Sequence, residues 1–157
     1  MRNKIGVIGA GLVGATAAFA LSQSGLASEI VLIDANEQRA RGEALDIEHG
    51  AALAPPVLVR DGDYPDLADA HLVIIAAGAN QKSGETRMDL AQKNLAVIDS
   101  IVPAAVRYAP ECVLLVVSNP VDVLTGREIS VKFDRPTALQ IDGETVVGVT
   151  EYSVKAG

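Results

Sequence analysis

Short apolar runs and longer amphipathic stretches alternate along the first 117 residues of the chain. The apolar runs are rich in Val, Ile and Leu, and they lie at 4–8, 29–33, 57–59, 71–77 and 112–117. Continuous apolar runs of this length are typical of strands that a parallel sheet buries on both faces. The stretches between them predict helices: one that Gly25 ends, one over 36–50, and one over 89–107 that Pro103 kinks or splits.

Strands and helices that alternate five times predict an α/β fold, with a parallel sheet and helices on both of its faces. Right-handed crossovers then bring the carboxyl ends of the strands to one edge, where ligands bind in such sheets. The polar segment 78–88 follows the fourth predicted strand, and glycines at 78 and 84 would let it move as a lid does. We therefore expect one ligand site at this edge.

A glycine motif follows the first predicted strand. Gly9, Gly11 and Gly14 form G-x-G-x-x-G, which permits a tight turn, the close approach of a pyrophosphate, and close packing of the next helix. Asp34 ends the second strand, where a carboxylate accepts the hydroxyls of an adenosine ribose and repels a 2′-phosphate. The pattern predicts a Rossmann-type doubly wound sheet that binds NAD. Arg39 or Arg41, which lie beyond Asp34, could meet a 2′-phosphate, but Asp34 outweighs such an arginine, so NAD is favoured over NADP.

The last part of the chain follows a different pattern. Apolar and polar residues alternate at 129–133, and Leu139 and Ile141 lead into Asp142-Gly143, which is a strong hairpin signal. This predicts a C-terminal antiparallel β extension. The chain then divides into a dinucleotide-binding domain, 1–125, and a β-hairpin tail of a different type, 126–157.

Composition narrows the classes of function. The 157 residues carry a net charge of −7, which argues against binding to nucleic acid or to an anionic membrane. No apolar run reaches membrane-spanning length and no signal peptide precedes Lys4, so we expect a cytoplasmic protein. The single cysteine excludes an internal disulfide. His49 and His71 are interpreted as structural, and no metal site is expected.

Several longer motifs accompany the glycines and Asp34. They are GEALDIEH (42–49), AAGANQKSGETR (76–87), QKN (92–94) and SNPVDVLT (118–125). With GAGLVG, they make residues 4–125 resemble the coenzyme domain of the L-lactate/malate dehydrogenase family, and its lactate branch more closely. The resemblance implies an NAD-dependent oxidoreductase that acts on a small 2-oxo or 2-hydroxy acid, pyruvate or lactate. It also implies a homo-oligomer, with the helix over 36–50 near its interface.

The resemblance further implies roles for individual residues. Arg87 matches the lid arginine that polarises the substrate carbonyl, and it is the implied catalytic residue. Gln81 matches the position that selects the substrate, where a neutral side chain suits pyruvate or lactate rather than oxaloacetate. Asn119 matches the residue that holds the nicotinamide ribose and the substrate, so the implied substrate-binding residues are Gln81, Arg87 and Asn119. The implied cofactor-binding residues are Gly9, Gly11, Leu12, Val13, Gly14, Asp34, Ala77, Gly78 and Asn119, with Ala77 and Gly78 as a wall of the adenine pocket.

The resemblance ends after Thr125. The substrate domain of the family, with its acid/base histidine, has no match in 126–157, so we expect the chain alone to be inactive. The stretch LQIDGE (139–144) is similar to the closing hairpin of diacylglycerol-kinase-like lipid kinases. Three interpretations stay open: the coenzyme domain of an L-lactate dehydrogenase, an NAD-binding module without chemistry, and a chimeric interaction protein whose β tail makes the contacts.

Overall fold

One parallel sheet organises the computed structural model, which describes residues 3–51, 54–79, 84–119, 124, 138–141 and 144–147. The sheet has five strands in the order β3-β2-β1-β4-β5. They are β1 (Lys4–Ile8), β2 (Glu29–Ile33), β3 (Leu58–Asp61), β4 (Ala70–Ile75) and β5 (Val113–Val116). The chain starts at the centre, moves to one edge, and then crosses over β1 to the other edge. The predicted doubly wound sheet is confirmed.

The register of the sheet brings four strand ends level with one another. Ile8, the last residue of β1, lies opposite Ile33 of β2 on one side and Ile75 of β4 on the other. Ile75 in turn lies opposite Val116, the last residue of β5. The loops that leave β1, β2, β4 and β5 therefore begin side by side, as the topology rule for parallel sheets requires.

Helices cover both faces of the sheet. They are α1 (Leu12–Ser24), α2 (Glu37–Gly50) and α3 (Arg87–Tyr108). Successive side chains of a strand point to opposite faces, and β2 shows this clearly. Its Leu32 packs in the cluster that contains buried residues of α1 and α2, whereas Val31 packs in the cluster that contains buried residues of α3.

The ends of the first two helices follow from local chemistry. α1 ends at Gly25, whose φ of 72° is the left-handed conformation that glycine adopts without strain, so the predicted stop is confirmed. α2 begins after Asn36, whose side chain accepts a hydrogen bond of 3.2 Å from the backbone N–H of Arg39. On α2, Ala40, Ala44 and Ile47 share a buried face because their spacing matches the helical repeat.

The bounds of three predicted strands differ from the structure by one to two residues. β3 runs from Leu58 to Asp61 rather than over 57–59, β4 from Ala70 to Ile75 rather than over 71–77, and β5 from Val113 to Val116 rather than over 112–117. The apolar run ends before the polar pair Arg60 and Asp61, yet both residues pair with β2. An edge strand tolerates them because its side chains remain partly exposed.

Pro103 does not split the third helix, so that half of the prediction is wrong, and a kink at this residue stays a prediction. α3 continues through this residue as far as Tyr108. Val102 and Ala105 flank Pro103 and are buried in the same core cluster, while Pro103 itself is exposed. Packing on both sides of the proline holds the two halves against the sheet, and this outweighs the loss of one backbone hydrogen bond.

The tail contributes two further strands. β6 (Ala138–Ile141) and β7 (Glu144–Val147) pair antiparallel, with Ile141 opposite Glu144. They flank the predicted hairpin turn, Asp142-Gly143. That turn, and the strand predicted at 129–133, lie outside the described residues. The division of the chain after residue 125 therefore stays a prediction.

Candidate functional site

Two glycines shape the turn between β1 and α1. Gly9 has a φ of 102°, and a Cβ there would lie 2.4 Å from the backbone nitrogen of Ala77 at the end of β4. At Gly14, a Cβ would lie 1.8 Å from the carbonyl oxygen of Gly9. Both contacts are far below van der Waals distance. The turn can therefore exist in this form only with glycine at both positions.

Gly11 lies in open space, unlike the crowded Gly9 and Gly14. A Cβ there would meet no heavy atom within 4 Å among the described residues. Gly11 is also the N-cap of α1, and it offers no side-chain hydrogen bond to the first helical turn. Unpaired amides and the positive end of the helix dipole favour an anion. An open glycine at this place lets a phosphate approach the backbone.

The carboxylate of Asp34 is fixed beside this turn. One of its oxygens accepts a hydrogen bond of 2.8 Å from the backbone N–H of Ala10, and the other accepts one of 2.8 Å from Asn36. The backbone N–H of Gly9 donates to the carbonyl of Ile33 at 2.7 Å, which joins the ends of β1 and β2. Each carboxylate oxygen keeps a free acceptor site. The carboxylate is thus oriented and can still receive ribose hydroxyls.

An open cleft of about 1020 Å³ lies along the strand ends. It brings together five of the residues predicted to bind a cofactor: Gly9, Gly11, Asp34, Ala77 and Gly78. The cleft also has a part that the sequence analysis missed, formed by residues 61–64 and Asp66. Those residues follow the carboxyl end of β3, so the strand-end rule applied to β3 could have found them.

The wall of the cleft is acidic. Its described lining residues include one cation, Arg39, and five carboxylates: Asp34, Glu37, Asp61, Asp63 and Asp66. Asp66 forms an ion pair of 3.0 Å with Arg60. A backbone hydrogen bond from Asp63 lowers the pKa of the Asp66 carboxyl, so it stays ionised well into acid solution. The cleft therefore repels additional negative charge around Asp34.

The ends of β4 and β5 are tied together beside the cleft. The hydroxyl of Ser118 donates to the carbonyl of Ala77 at 2.6 Å. The side-chain amide of Asn94, on α3, donates to the carbonyl of Asn119 at 2.6 Å and accepts from the N–H of Ala79 at 2.7 Å. Asn119 itself is exposed at the end of β5. Sequence reasoning missed the roles of Asn94 and Ser118, although both lie in motifs that it quoted.

The remaining predicted site residues are placed less completely. Arg87 is the first residue of α3, directly after Thr86, whose hydroxyl accepts a hydrogen bond of 3.2 Å from the N–H of Asp89. Leu12 and Val13 lie in the first turn of α1 and are 91% and 61% exposed. Gln81 lies outside the described residues. The structure thus places Arg87 at the start of α3, and the predicted roles of Arg87 and Gln81 stay predictions.

Other chemistry is absent from the part of the chain that the structure describes. No group of His, Cys, Asp and Glu there could hold a metal ion. Cys112 is buried, and burial raises the pKa of its thiol to about 11, so it stays protonated and unreactive. No described helix is both long and apolar enough to cross a membrane.

Comparison with known proteins decides the family. A model of the lactate/malate dehydrogenase NAD binding domain matches residues 3–133. The chain belongs to this family. Its NAD-binding domain is 57% identical over 123 residues to L-lactate dehydrogenase 1 of Clostridium acetobutylicum and 56% identical over 123 residues to L-lactate dehydrogenase of Clostridium perfringens. The family match reaches residue 133, beyond the end of the resemblance at Thr125.

Solved structures agree with this assignment. The minor L-lactate dehydrogenase of Enterococcus mundtii, in its ligand-bound form, superposes with a TM-score of 0.79 at 41% identity, over 82% of this chain and 41% of that one. The malate dehydrogenase of Archaeoglobus fulgidus, in complex with NADH, gives a TM-score of 0.76 at 41% identity, over 81% and 44%. The predicted NAD-binding Rossmann domain is confirmed.

The similarity covers only part of those proteins. The chain matches over 78% of its own length but 39% of the length of the two Clostridium relatives. The domain described here is therefore the N-terminal, coenzyme-binding part of such enzymes. The resemblance of the tail to lipid kinases has no support from these comparisons and stays a prediction.

Proposed function

We propose that this domain is the coenzyme half of an NAD-dependent L-lactate dehydrogenase that interconverts pyruvate and lactate. The observation that carries the proposal is the cleft, which joins the glycine turn, Asp34 and the end of β4 in one continuous surface. A dinucleotide needs this combination of an open phosphate site and a carboxylate. The high identity to enzymes named L-lactate dehydrogenase favours lactate chemistry over malate chemistry.

The residues present fit NAD on structural grounds. Gly11 leaves space for the pyrophosphate, and Asp34 is held where it can bind the adenosine ribose. Ala77 and Gly78 would form part of the adenine wall, and Leu12 and Val13 would cover the cofactor beside the first turn of α1. When bound, NAD supplies or accepts the hydride. The protein contributes the position and the electrostatic surroundings.

The substrate residues have assigned roles in this proposal. Arg87 would stabilise the negative charge that develops on the substrate carbonyl oxygen, because a guanidinium is always charged and donates several hydrogen bonds. Asn119 would hold the nicotinamide ribose and the substrate. Gln81 would select pyruvate or lactate, because it offers no charge to pair with the second carboxylate of a larger substrate. The acidic composition and the family suit a cytoplasmic protein.

The first prediction concerns cofactor choice. The domain is expected to bind NADH at least about tenfold more tightly than NADPH, a difference of about 1.4 kcal/mol. The reason is that a 2′-phosphate would enter a wall with five carboxylates and one arginine. Asp34→Ala should weaken NADH binding about tenfold and narrow the preference. Titration calorimetry with NADH and with NADPH measures the affinity of each protein for each cofactor.

The matched control is Asp46→Ala, an exposed carboxylate on α2 outside the cleft. It removes the same charge from the chain but should leave both affinities within about twofold, since exposed charges are screened. Equal affinities of the unchanged protein for NADH and NADPH would contradict the prediction. A similar loss in both variants would show that net charge, rather than Asp34, sets the preference.

The second prediction concerns self-association. Leu45 points away from the core of α2 and is 43% exposed, and Phe19 of α1 is also half-exposed. We expect the protein to form a homodimer through this face, since exposed apolar side chains on adjacent helices favour association. Leu45→Glu should shift the equilibrium toward monomer in sedimentation experiments. Leu58→Glu, which places the same charge on edge strand β3, is the control, and a monomeric unchanged protein at high concentration would refute the prediction.

A further inference from the structure

Buried polar side chains are rare in the described part of the chain. They are Ser22, Asn94 and Ser118, which are 0%, 3% and 8% exposed. Ser22 donates to the carbonyl of Phe19 at 2.7 Å, within its own helix. The other two lie together at the carboxyl ends of β4 and β5. Burying a polar group costs free energy unless it is hydrogen-bonded, so a pair at one place calls for an explanation.

The backbone pairing of β4 with β5 stops short of this place. The ladder reaches Ile75 and Val116, and the N–H of Val117 adds one bond of 3.0 Å to the carbonyl of Ile75. Past that bond, the hydroxyl of Ser118 reaches back to the carbonyl of Ala77 at 2.6 Å. A side chain thus extends the connection between the two strands beyond their last ladder bond.

Asn94 adds a second connection from a third element. It lies on α3, and its amide spans the ends of both strands by accepting from Ala79 at 2.7 Å and donating to Asn119 at 2.6 Å. It also fills the space beside Gly78, where a Cβ would lie 3.3 Å from its oxygen. Asn94 therefore fixes the distance between the loop that leaves β4 and the loop that leaves β5.

The place of these contacts along the sheet indicates which part of a dinucleotide they affect. Asp34 follows β2, the glycine turn follows β1, and Asn119 follows β5. In the order β2-β1-β4-β5, the end of β5 lies three strand spacings from that of β2, roughly 14 Å at about 4.8 Å each. A dinucleotide with its adenosine at Asp34 and its phosphates at the glycine turn extends toward β4 and β5 with its other half.

We infer that Asn94 and Ser118 are positioning residues for the nicotinamide half of the cofactor, an inference that rests on the proposed NAD function. Their hydrogen bonds hold the backbone N–H of Ala79 at a fixed position relative to Asn119. Asp34 and the glycine turn bind the adenosine end instead. Removal of the Asn94 donor frees the Asn119 carbonyl, and removal of the Ser118 donor frees the Ala77 carbonyl. Each loss loosens the same strand ends.

The test compares two ligands that differ only at that end. NADH consists of ADP joined to the nicotinamide ribose and its base, whereas ADP lacks that whole half. We expect the unchanged 157-residue chain to bind NADH several-fold more tightly than ADP. Asn94→Asp keeps an acceptor for Ala79 and loses the donor for Asn119, so NADH binding should weaken about tenfold. ADP binding should stay within about threefold.

Two serine variants serve as a matched pair. Ser118→Ala and Ser22→Ala each remove a buried hydroxyl that donates to a backbone carbonyl, but only the first lies at the strand ends. Ser118→Ala should reduce the ratio of NADH affinity to ADP affinity by about fivefold, and Ser22→Ala should leave it unchanged. Thermal unfolding of each variant, followed by circular dichroism, reports stability separately. Titration calorimetry reports the ratio, which a general loss of stability would not move.

The outcomes separate the inference from the function on which it rests. If the unchanged chain binds neither ligand, the proposed function fails. If it binds both equally, or if Asn94→Asp and Ser118→Ala weaken both ligands alike, the NAD function stands and the positioning role is overturned. If Asn94→Asp does not fold, Ser118→Ala decides alone: a changed ratio supports the role, and an unchanged ratio refutes it.

Discussion

Pyruvate and NADH mixed with the 157-residue chain are expected to react no faster than without it, even when NADH is bound. The keto oxygen needs a proton as it becomes a hydroxyl, and the substrate carboxylate needs a cationic anchor. Arg87 can polarise the carbonyl, but it cannot act as the general acid, because a guanidinium in a protein holds its proton at all ordinary pH values. General acid catalysis typically raises the reaction rate about 10²–10⁴-fold. Correct positioning of the substrate can lower the activation barrier by up to roughly 7–11 kcal/mol.

The two histidines of the chain cannot serve as this proton donor. His71 lies at the start of β4, whereas the site lies at the opposite, carboxyl end of the same strand. Four residue steps separate His71 from Ile75, the last residue of β4, a distance of roughly 13 Å at about 3.3 Å per residue. His49 is exposed in the last turn of α2, again away from the strand ends. Neither approaches the reacting carbonyl without unfolding an element.

The measurement is the loss of NADH absorbance with pyruvate, in a sample whose NADH binding has been shown by titration. The full-length Clostridium acetobutylicum enzyme is the positive control, because its matched region is 57% identical. Arg87→Ala of the present chain should leave the background rate unchanged. Rapid turnover that Arg87→Ala abolishes would contradict the prediction, and would show that another residue of this chain supplies the proton.

The second large effect is expected from Gly14→Ala. The added methyl group would lie 1.8 Å from the carbonyl oxygen of Gly9, which is backbone and cannot rotate away. Helix α1 must then move off the end of β1, so we expect a loss of roughly 3–5 kcal/mol in the free energy of unfolding. Alanine has the higher helix propensity, which partly offsets the clash, so the measured destabilisation is a lower bound on the free-energy cost of the clash. Urea unfolding monitored by circular dichroism gives the value.

Two other glycines provide matched controls. Gly42 lies inside α2, and a Cβ there meets no heavy atom within 4 Å among the described residues. Gly42→Ala should therefore stabilise the domain by about 0.5–1 kcal/mol. Gly11→Ala also meets open space, so it should preserve the fold but weaken NADH binding by obstructing the phosphates. If Gly14→Ala were as stable as the unchanged protein, the tight packing of α1 on β1 would be disproved.

The fold was readable from the sequence because its signals are local. Apolar runs such as 29–33 are buried on both faces wherever they pair, and Gly25 ends a helix through its own backbone preference. The G-x-G-x-x-G spacing with Asp34 specified the cofactor for the same reason, since each residue acts through its own turn or strand end. Identity with the family's motifs then supported the assignment without any knowledge of packing.

The ends of strands and helices, and the exposure of single side chains, were harder to predict from the sequence. Leu45 has the same apolar character as Ile47, but the helical repeat turns it outward, so it is half-exposed while Ile47 is buried. β3 extends through the polar residues Arg60 and Asp61 because β2 is there to pair with them. Pro103 stays inside α3 because the core holds the helix on both sides of it. At β3 and at Pro103, long-range packing outweighed the local preference.

The sequence by itself therefore determined the sheet class, the nucleotide turn and Asp34, all of which rest on residues near one another in the chain. Only the tertiary structure decided that Asn94 joins Ala79 to Asn119. The physical reason is that these contacts join residues on separate elements. A hydrogen bond between α3 and two strand ends depends on the packing of the whole sheet, and no spacing in the sequence encodes it alone.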